Sequence, residues 1–196
     1  MKLDTEGLKR AETHLMESAA VQRRAAAQCM DTILAAAQLI ADAFKSGNKV
    51  LLCGNGGSAA DCQHMATEFV SQLTPDFKRP GLPAIALTTD TSFLTAYSND
   101  YEFDGVFQRQ VQALGQPGDV LIIISTSGNS ANALQAAKAA DNAKMRTIVL
   151  TGAGGLLKKR GDISISVPST NTRYIQESHL AIEHVLCDLV ERLVYT

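Results

Sequence analysis

The sequence has no block of basic residues and no long hydrophobic run. Its 196 residues include 18 Lys and Arg against 20 Asp and Glu, which gives a formal net charge of −2. Proteins that bind nucleic acid without regard to its sequence neutralise rows of phosphates with clustered cations, so this balance disfavours that class of function. The longest apolar runs, such as residues 120–124, are far shorter than the ~18 residues that predict a membrane span. We therefore expect a soluble protein.

A signal peptide and paired cysteines are also missing. Asp4 and Glu6 lie where a signal peptide needs a cationic start followed by an apolar stretch. The four cysteines form no C-x-x-C pair, which predicts free, mostly buried thiols in a reducing compartment. These cysteines are Cys29, Cys53, Cys62 and Cys187. The expected location is the cytoplasm.

The hydrophobic content, 45% of the residues, is enough for the core of one globular domain. No internal repeat, low-complexity tract or linker divides the chain, so we predict a single domain over residues 1–196. Residues 8–44 contain no Pro or Gly, and their apolar residues recur at helical spacing. This pattern predicts one or two amphipathic helices ending near Gly47, with residues 1–46 as an N-terminal helical extension.

The rest of the chain alternates between short aliphatic runs and helix-like segments. The candidate strands are residues 50–52, 84–87, 120–124, 147–150 and 163–167, and the candidate helices are residues 59–73, 103–114, 131–144 and 176–193. Such alternation predicts an α/β fold with a doubly wound, parallel five-stranded sheet flanked by helices. The last strand alternates Ile with Ser, as expected near a sheet edge. Three of the five prolines lie in residues 74–83, which predicts a loop.

Two loops rich in glycine or serine follow predicted strands, at residues 53–58 and 125–130. In open α/β sheets, ligands bind where strands end, and a loop entering a helix offers backbone N–H groups to anions. A phosphate site is therefore one interpretation. Ordinary strand-to-helix turns with small capping residues are the other. Neither loop matches the Walker motif or the dinucleotide fingerprint.

His64 and Glu68 are four residues apart in a predicted helix, so both side chains share one face. Gln176, His179 and His184 lie in or at the start of the last helix. His64, Glu68, Gln176 and His184 offer ligands for a zinc-like ion, or His and Glu offer an acid/base pair, and a purely structural role for each histidine stays open. One objection is geometric. Eight residues of straight helix separate Gln176 from His184 by ~12 Å, so both reaching one ion would need long side chains leaning inward, an irregular helix start, or two subunits.

Asn99 and Asp100 follow another helical stretch. They would form a turn or contact a sugar hydroxyl, and a turn is the simpler expectation.

Several of these motifs occur in a fixed order along the chain. They are residues 54–61 with His64 and Glu68, residues 79–84, Asn99 and Asp100, residues 118–121, residues 125–130, and residues 175–177 with His184. In this order and spacing, and over nearly the whole chain, the sequence resembles the sedoheptulose-7-phosphate isomerases of the sugar-isomerase (SIS) fold. The resemblance implies an aldose–ketose isomerase that makes D-glycero-D-manno-heptose 7-phosphate for lipopolysaccharide heptose synthesis, acting as a homotetramer with active sites between subunits.

The resemblance also implies a role for each matching residue. Glu68 would be the catalytic base and His184 its acid/base partner. Substrate contacts would come from Asn55, Gly56, Gly57, Ser58, Asn99, Asp100, Ser125, Thr126, Ser127, Ser130 and Gln176, with the serine-loop hydroxyls holding the phosphate. One zinc ion per subunit would be held by His64, Glu68, Gln176 and His184.

One residue departs from the family pattern, and two other functions compete with the isomerase. Relatives often have an arginine where this chain has Gln72, so one substrate or inter-subunit contact is in doubt, for which Lys78 or Arg79 could compensate. A non-catalytic tetramer resembling the DnaA initiator-associating protein would lack the glutamate and the last histidine, but this chain retains Glu68 and His184. A sugar-phosphate-sensing regulatory domain would keep the serine loop without needing the acid/base pair.

Overall fold

The computed structural model describes residues 5–196, so the first four residues of the predicted N-terminal extension lie outside the described residues. The helices are α1 (Thr5–Lys45), α2 (Gly57–Val70), α3 (Thr91–Asp100), α4 (Val106–Leu114), α5 (Ala131–Asn142) and α6 (Thr172–Tyr195). The strands are β1 (Val50–Gly54), β2 (Ala84–Ala86), β3 (Val120–Ser125), β4 (Arg146–Thr151) and β5 (Ile163–Ser166). Short 3-10 turns at Phe103–Gly105 and Leu157–Lys159 precede α4 and β5.

All five strands are parallel, in the order β2-β1-β3-β4-β5. Every residue of β1 and β3 is buried, because helices cover both faces of these central strands. Strand β5 is an edge strand and is only partly buried, in agreement with its Ile/Ser alternation. The predicted α/β class with a doubly wound parallel sheet is confirmed.

Alternate residues of the central strands β1, β3 and β4 enter two separate cores. On one face, Leu52 and Ile122 pack with apolar residues of α1, α2 and α6. On the other face, Leu51 and Ile123 pack with α4 and α5. This arrangement leaves the carboxyl ends of β1 and β3 side by side, since Gly54 pairs with Ile124 in the sheet.

The N-terminal segment forms one helix of 41 residues rather than two. Its buried residues begin only at Ser18 and continue at helical spacing through Ala25, Cys29 and Ile33 to Phe44. This stripe packs against α6 and the sheet. Within residues 5–196, no helix is both long enough and apolar enough to span a bilayer.

The structure corrects the local predictions around residues 91–100 and confirms the prediction for the cysteines. The expected turn at Asn99 and Asp100 is wrong, because both residues belong to the last turn of α3. The aliphatic pattern did not predict that helix, which has no fully buried residues. The four cysteines are free and buried, as predicted.

Candidate active site

The two predicted ligand loops lie next to each other at the point where the sheet changes winding direction. From β1 the chain crosses to β2 on one side and later to β3 on the other, and crevices at such points bind ligands in open α/β folds. The loops approach closely because Gly54 has no side chain. A Cβ there would lie 2.8 Å from the Ser58 carbonyl oxygen and 2.9 Å from the Ile124 carbonyl oxygen.

A reciprocal amide pair joins the two loops. Asn55 follows β1, Asn132 lies in the first turn of α5, and each Nδ2 donates to the other's Oδ1 at 2.9 Å. Asn132 is buried. Asn55, predicted to contact substrate, therefore uses one amide hydrogen and one lone pair to fix the loops together.

The serine loop presents two hydroxyl groups that point towards each other. Ser125 ends β3, Ser130 caps the start of α5 without a hydrogen bond from its side chain to the helix, and their Oγ atoms are 3.3 Å apart. The Ser127 hydroxyl accepts from the Asn129 N–H at 3.2 Å. Thr126 lies between them and is half-buried. Hydroxyl donors at the N-terminus of a helix are suited to a phosphate dianion.

The start of α2 contacts the start of α6. Gly56 has a φ of 58°, a left-handed conformation that favours glycine, and precedes the first residue of α2. A Cβ on Gly57 would lie 2.3 Å from Nε2 of Gln176, so the Gln176 amide lies directly against this turn. Ser58, the next residue of α2, is buried.

Two turns further along both helices, two histidines and a carboxylate converge. The Nε2 atoms of His64 and His184 are 2.8 Å apart, a hydrogen bond that requires one ring nitrogen to carry a proton and the other to lack it. Glu68 Oε1 lies 3.9 Å from His64 Nε2. The structure thus brings together three of the four predicted metal ligands. Gln176 lies at the Gly57 end of the helix pair instead, in line with the predicted spacing along α6.

The donor set fits zinc in its chemistry, since zinc in proteins takes imidazole nitrogen and carboxylate oxygen. Two nitrogens on one tetrahedral zinc lie about 3.3 Å apart, so the imidazoles of His64 and His184 would have to separate by roughly 0.5 Å. Among residues 5–196, no group of three or more His, Cys, Asp or Glu side chains is arranged to hold a metal ion.

Comparison with known proteins decides the family. The SIS domain family matches residues 13–152. The chain is 53% identical to the phosphoheptose isomerase of Roseiflexus sp. (strain RS-1) over 176 residues, 89% of this chain and 88% of that protein. It is 51% identical to that of Thiobacillus denitrificans, with 92% and 93% of the chains covered. The solved phosphoheptose isomerase of Neisseria gonorrhoeae has a TM-score of 0.89 at 43% identity, covering 94% of this chain and 98% of that one.

The chain belongs to the phosphoheptose isomerase family. This confirms the family that the sequence motifs predicted, and with it a sugar-phosphate isomerase rather than the non-catalytic alternative.

In this member of the phosphoheptose isomerase family, two acidic residues near the histidines, Glu183 and Asp61, have raised pKa values. Glu183, next to His184, is fully buried, and within residues 5–196 neither of its carboxylate oxygens has a hydrogen-bond partner. Burial, with a contribution from Asp61, raises the pKa of Glu183 to about 8, so the group is mostly neutral at pH 7. Burial also raises the pKa of Asp61, against the opposing effect of His64.

His179 does not join the other histidines. It is fully buried, and its Nε2 is 3.3 Å from the Thr151 carbonyl oxygen. Burial lowers the pKa of His179 to about 4, so the ring is neutral and donates to that carbonyl. The surroundings of His179 therefore support a structural role rather than a role in the site.

Arg79 does not compensate for Gln72, because its guanidinium is buried and bound within the chain. It donates to Glu191 Oε2 at 2.9 Å, to the Glu68 carbonyl at 2.7 Å and to the Phe69 carbonyl at 2.8 Å. A group with these partners cannot also reach a substrate phosphate.

Asn99 and Asp100 hydrogen-bond to each other rather than to the rest of the predicted site. Both are exposed, and the Asn99 Nδ2 donates to Asp100 Oδ1 at 3.0 Å. Within residues 5–196, no hydrogen bond joins either side chain to the loops at β1 and β3.

Sequence reasoning missed two supports of the serine loop, Asn132 and the glycine-rich loop after β4. The Leu156 N–H donates to Asn129 Oδ1 at 3.0 Å, and the Leu157 N–H donates to the Gly128 carbonyl at 2.9 Å. Gly128 and Gly155 have positive φ values of 65° and 100°, and a Cβ on Gly155 would lie 2.6 Å from the Gly128 Cα. The signal for this loop was present, since three of residues 152–155 are glycine.

Proposed function

We propose that this chain converts sedoheptulose 7-phosphate to D-glycero-D-manno-heptose 7-phosphate, an aldose–ketose isomerisation that supplies heptose for lipopolysaccharide. The observation that carries the proposal is the convergence of Glu68, His64 and His184 on one side of α2, in a chain whose relatives at about half identity are phosphoheptose isomerases. A sugar phosphate is the substrate that these relatives' names imply.

Proton transfer is the chemistry that these side chains can perform. The Glu68 carboxylate takes a proton from C1 of the ketose, and the electrons of that C–H bond form the C1–C2 double bond of an enediol as O2 gains a proton. Returning a proton to C2 while O1 loses its proton gives the aldose. His184 moves the proton between the two oxygens, a task that suits an imidazole hydrogen-bonded at its other side.

The phosphate would bind in the serine loop. The hydroxyls of Ser125, Thr126, Ser127 and Ser130 and the N–H groups that begin α5 supply donors, and the helix dipole favours the dianion without a counter-charge. Asn55, Gly56, Gly57, Ser58 and Gln176 would contact the sugar. Asn99 and Asp100 would contact sugar hydroxyls.

His64, Glu68, Gln176 and His184 would hold one zinc ion per subunit. Two imidazoles and a carboxylate already converge, and these are ligands that zinc accepts. When bound, the ion supplies charge stabilisation to the oxygens of the enediolate. Gln176 reaches this set only if its side chain or the start of α6 moves, or if another subunit takes part.

A homotetramer in the cytoplasm is the proposed form of the enzyme. Its support is the apolar surface between α1 and α6, where Met30, Leu34 and Val185 are 42%, 49% and 41% exposed beside a groove of about 450 Å³. Contiguous apolar surface of this kind marks sites of association.

The test is turnover of sedoheptulose 7-phosphate by purified protein, with and without added zinc. Glu68→Gln and His184→Ala should each lower kcat by at least about 100-fold, the range of general acid–base catalysis. Glu12→Gln, the same change at an exposed carboxylate on α1, is the control and should match the wild type. If Glu68→Gln alters neither turnover nor zinc content, the site assignment is wrong. A wild type inactive under every metal condition would instead favour a sugar-phosphate-binding or regulatory protein.

A further inference from the structure

A buried arginine fastens the end of α2 to α6. The side chains of Arg79 and Glu191 are 1% and 0% exposed, and their ion pair spans 2.9 Å. The same guanidinium donates to the backbone carbonyls of Glu68 and Phe69, at 2.7 Å and 2.8 Å. Arg79 lies in the loop after α2, so one planar group joins this loop, the last turn of α2 and α6.

The position of Glu68 explains why such a fastening matters. Glu68 is the third residue from the end of α2, where helix carbonyls lack intrahelical partners and helices fray. A carboxylate that removes a proton from carbon must be held at a fixed distance from the reacting atom, since an error of about 1 Å costs roughly 100-fold in rate. Arg79 binds the carbonyl of this very residue.

Glu191 fixes the other side of the reaction centre. It lies seven residues, about two turns, beyond His184 on the same helix. The end of α6 also contacts the loop that carries Arg79. The Tyr195 hydroxyl donates to the Pro80 carbonyl at 3.2 Å, and Arg192 lies 5.4 Å from the centre of the Phe77 ring. The sliding of α2 against α6 is thereby limited at one end.

The pair is poorly built for stability alone. Within residues 5–196, the second carboxylate oxygen of Glu191 is buried without a hydrogen-bond partner. Buried ion pairs can often be replaced by apolar residues of similar size without loss of stability. An ion pair that leaves a buried oxygen without a hydrogen bond is easier to explain if its role is to hold α2 and α6 in a fixed arrangement.

We propose that Arg79 and Glu191 are positioning residues that set the separation of Glu68 from His184 during catalysis. The proposal rests on the proposed function, in which these two side chains move the protons. Neither Arg79 nor Glu191 touches substrate. Their loss therefore lowers kcat while KM stays nearly unchanged, because the phosphate and sugar contacts at the β1 and β3 loops remain.

The test separates positioning from stability with an apolar double variant. Arg79→Met alone leaves a buried carboxylate unpaired and should lower the Tm, whereas Arg79→Met/Glu191→Leu should recover most of that loss. If the pair positions Glu68, kcat of the double variant stays at least tenfold below the wild type, with KM within about twofold. A double variant with wild-type kcat overturns the proposal.

Lys49→Met is the matched control. It breaks a second ion pair that has a fully buried carboxylate, Lys49 Nζ to Asp119 Oδ2 at 2.5 Å. This pair joins the residues just before β1 and β3, and the carboxylate accepts its other hydrogen bonds from Asn48, Gln116 and the Lys49 N–H rather than from α2 or α6. This variant should lower the Tm but leave kcat unchanged below its unfolding transition. A fall in kcat as large as that of the double variant would attribute both losses to general destabilisation.

A readout without substrate keeps this proposal distinct from the proposed function. The ring-nitrogen NMR signals of His64 and His184 report their 2.8 Å contact in the free protein. We expect these signals to shift in Arg79→Met/Glu191→Leu and not in Lys49→Met. If they are unchanged in the double variant, Arg79 and Glu191 do not position these helices, whatever the enzyme's activity.

Discussion

Replacing Gly57 with alanine should lower the activity of the candidate site without lowering the stability of the fold. The new Cβ would lie 2.3 Å from the Gln176 Nε2, while ordinary contact begins near 3.4 Å, so the Gln176 amide must move by about 1 Å. The added methyl group itself suits a helix, and a compatible Gly-to-Ala change stabilises by about 0.4–1 kcal/mol. A 1 Å displacement of a positioning group costs up to roughly 100-fold, or about 2.7 kcal/mol of transition-state stabilisation.

The assay is kcat/KM for sedoheptulose 7-phosphate alongside thermal unfolding. We expect Gly57→Ala to lose 10- to 100-fold in kcat/KM with its Tm unchanged or higher. Gly154→Ala is the control, because a Cβ there meets no atom within 4 Å. If Gln176 carries the effect, Gly57→Ala/Gln176→Ala should be no worse than Gln176→Ala alone. Wild-type activity in Gly57→Ala would refute the reasoning, and additive losses would show that the methyl group obstructs something other than Gln176.

Two further predictions concern stability. The folded pKa of Glu183, about 8, lies above its usual 4.5, so the folded state holds more protons and the free energy of unfolding falls as pH rises between those values. Glu183→Gln removes this fall in the free energy of unfolding. Urea titrations at pH 5 and pH 8 should find the variant more stable than the wild type only at pH 8, by at most about 4 kcal/mol. An equal gain in stability at both pH values would contradict a neutral Glu183. For Gly54→Ala, backbone atoms on both sides leave a Cβ no room, so urea unfolding should show a loss of about 1–3 kcal/mol, and no loss would mean that the two loops can separate freely.

Local pattern was enough to predict the layers of the fold. The runs at residues 50–52 and 120–124 lie within β1 and β3, because a strand buried on both faces must be apolar throughout. The ends of strands shifted by one or two residues, since strand ends depend on hydrogen bonding to neighbours. The aliphatic pattern did not indicate helix α3, because the face that packs on the core is only partly buried and consists mainly of aromatic residues, Phe93 and Tyr97 with Leu94.

The site was predictable in its residue types and less so in its contacts. The four-residue spacing of His64 and Glu68 correctly placed both on one face of α2. The contact of His64 with His184 bridges 120 positions, the Asn55–Asn132 pair bridges 77, and Arg79 and Glu191 are 112 apart. Such pairings depend on how elements pack, which no local period encodes. In the sequence, Asn132 and Glu191 look like ordinary helix residues.

The contact between Gly128 and Gly155 makes two loops move as one body. With no side chain between them, neither backbone can shift without pushing the other, because a single added carbon on Gly155 would already overlap Gly128. A movement of the serine loop around a bound phosphate would therefore also displace the glycine-rich loop after β4. A side chain at position 155 would weaken phosphate affinity, although Gly155 lies outside the serine loop, whereas a methyl group at Gly154 has open space.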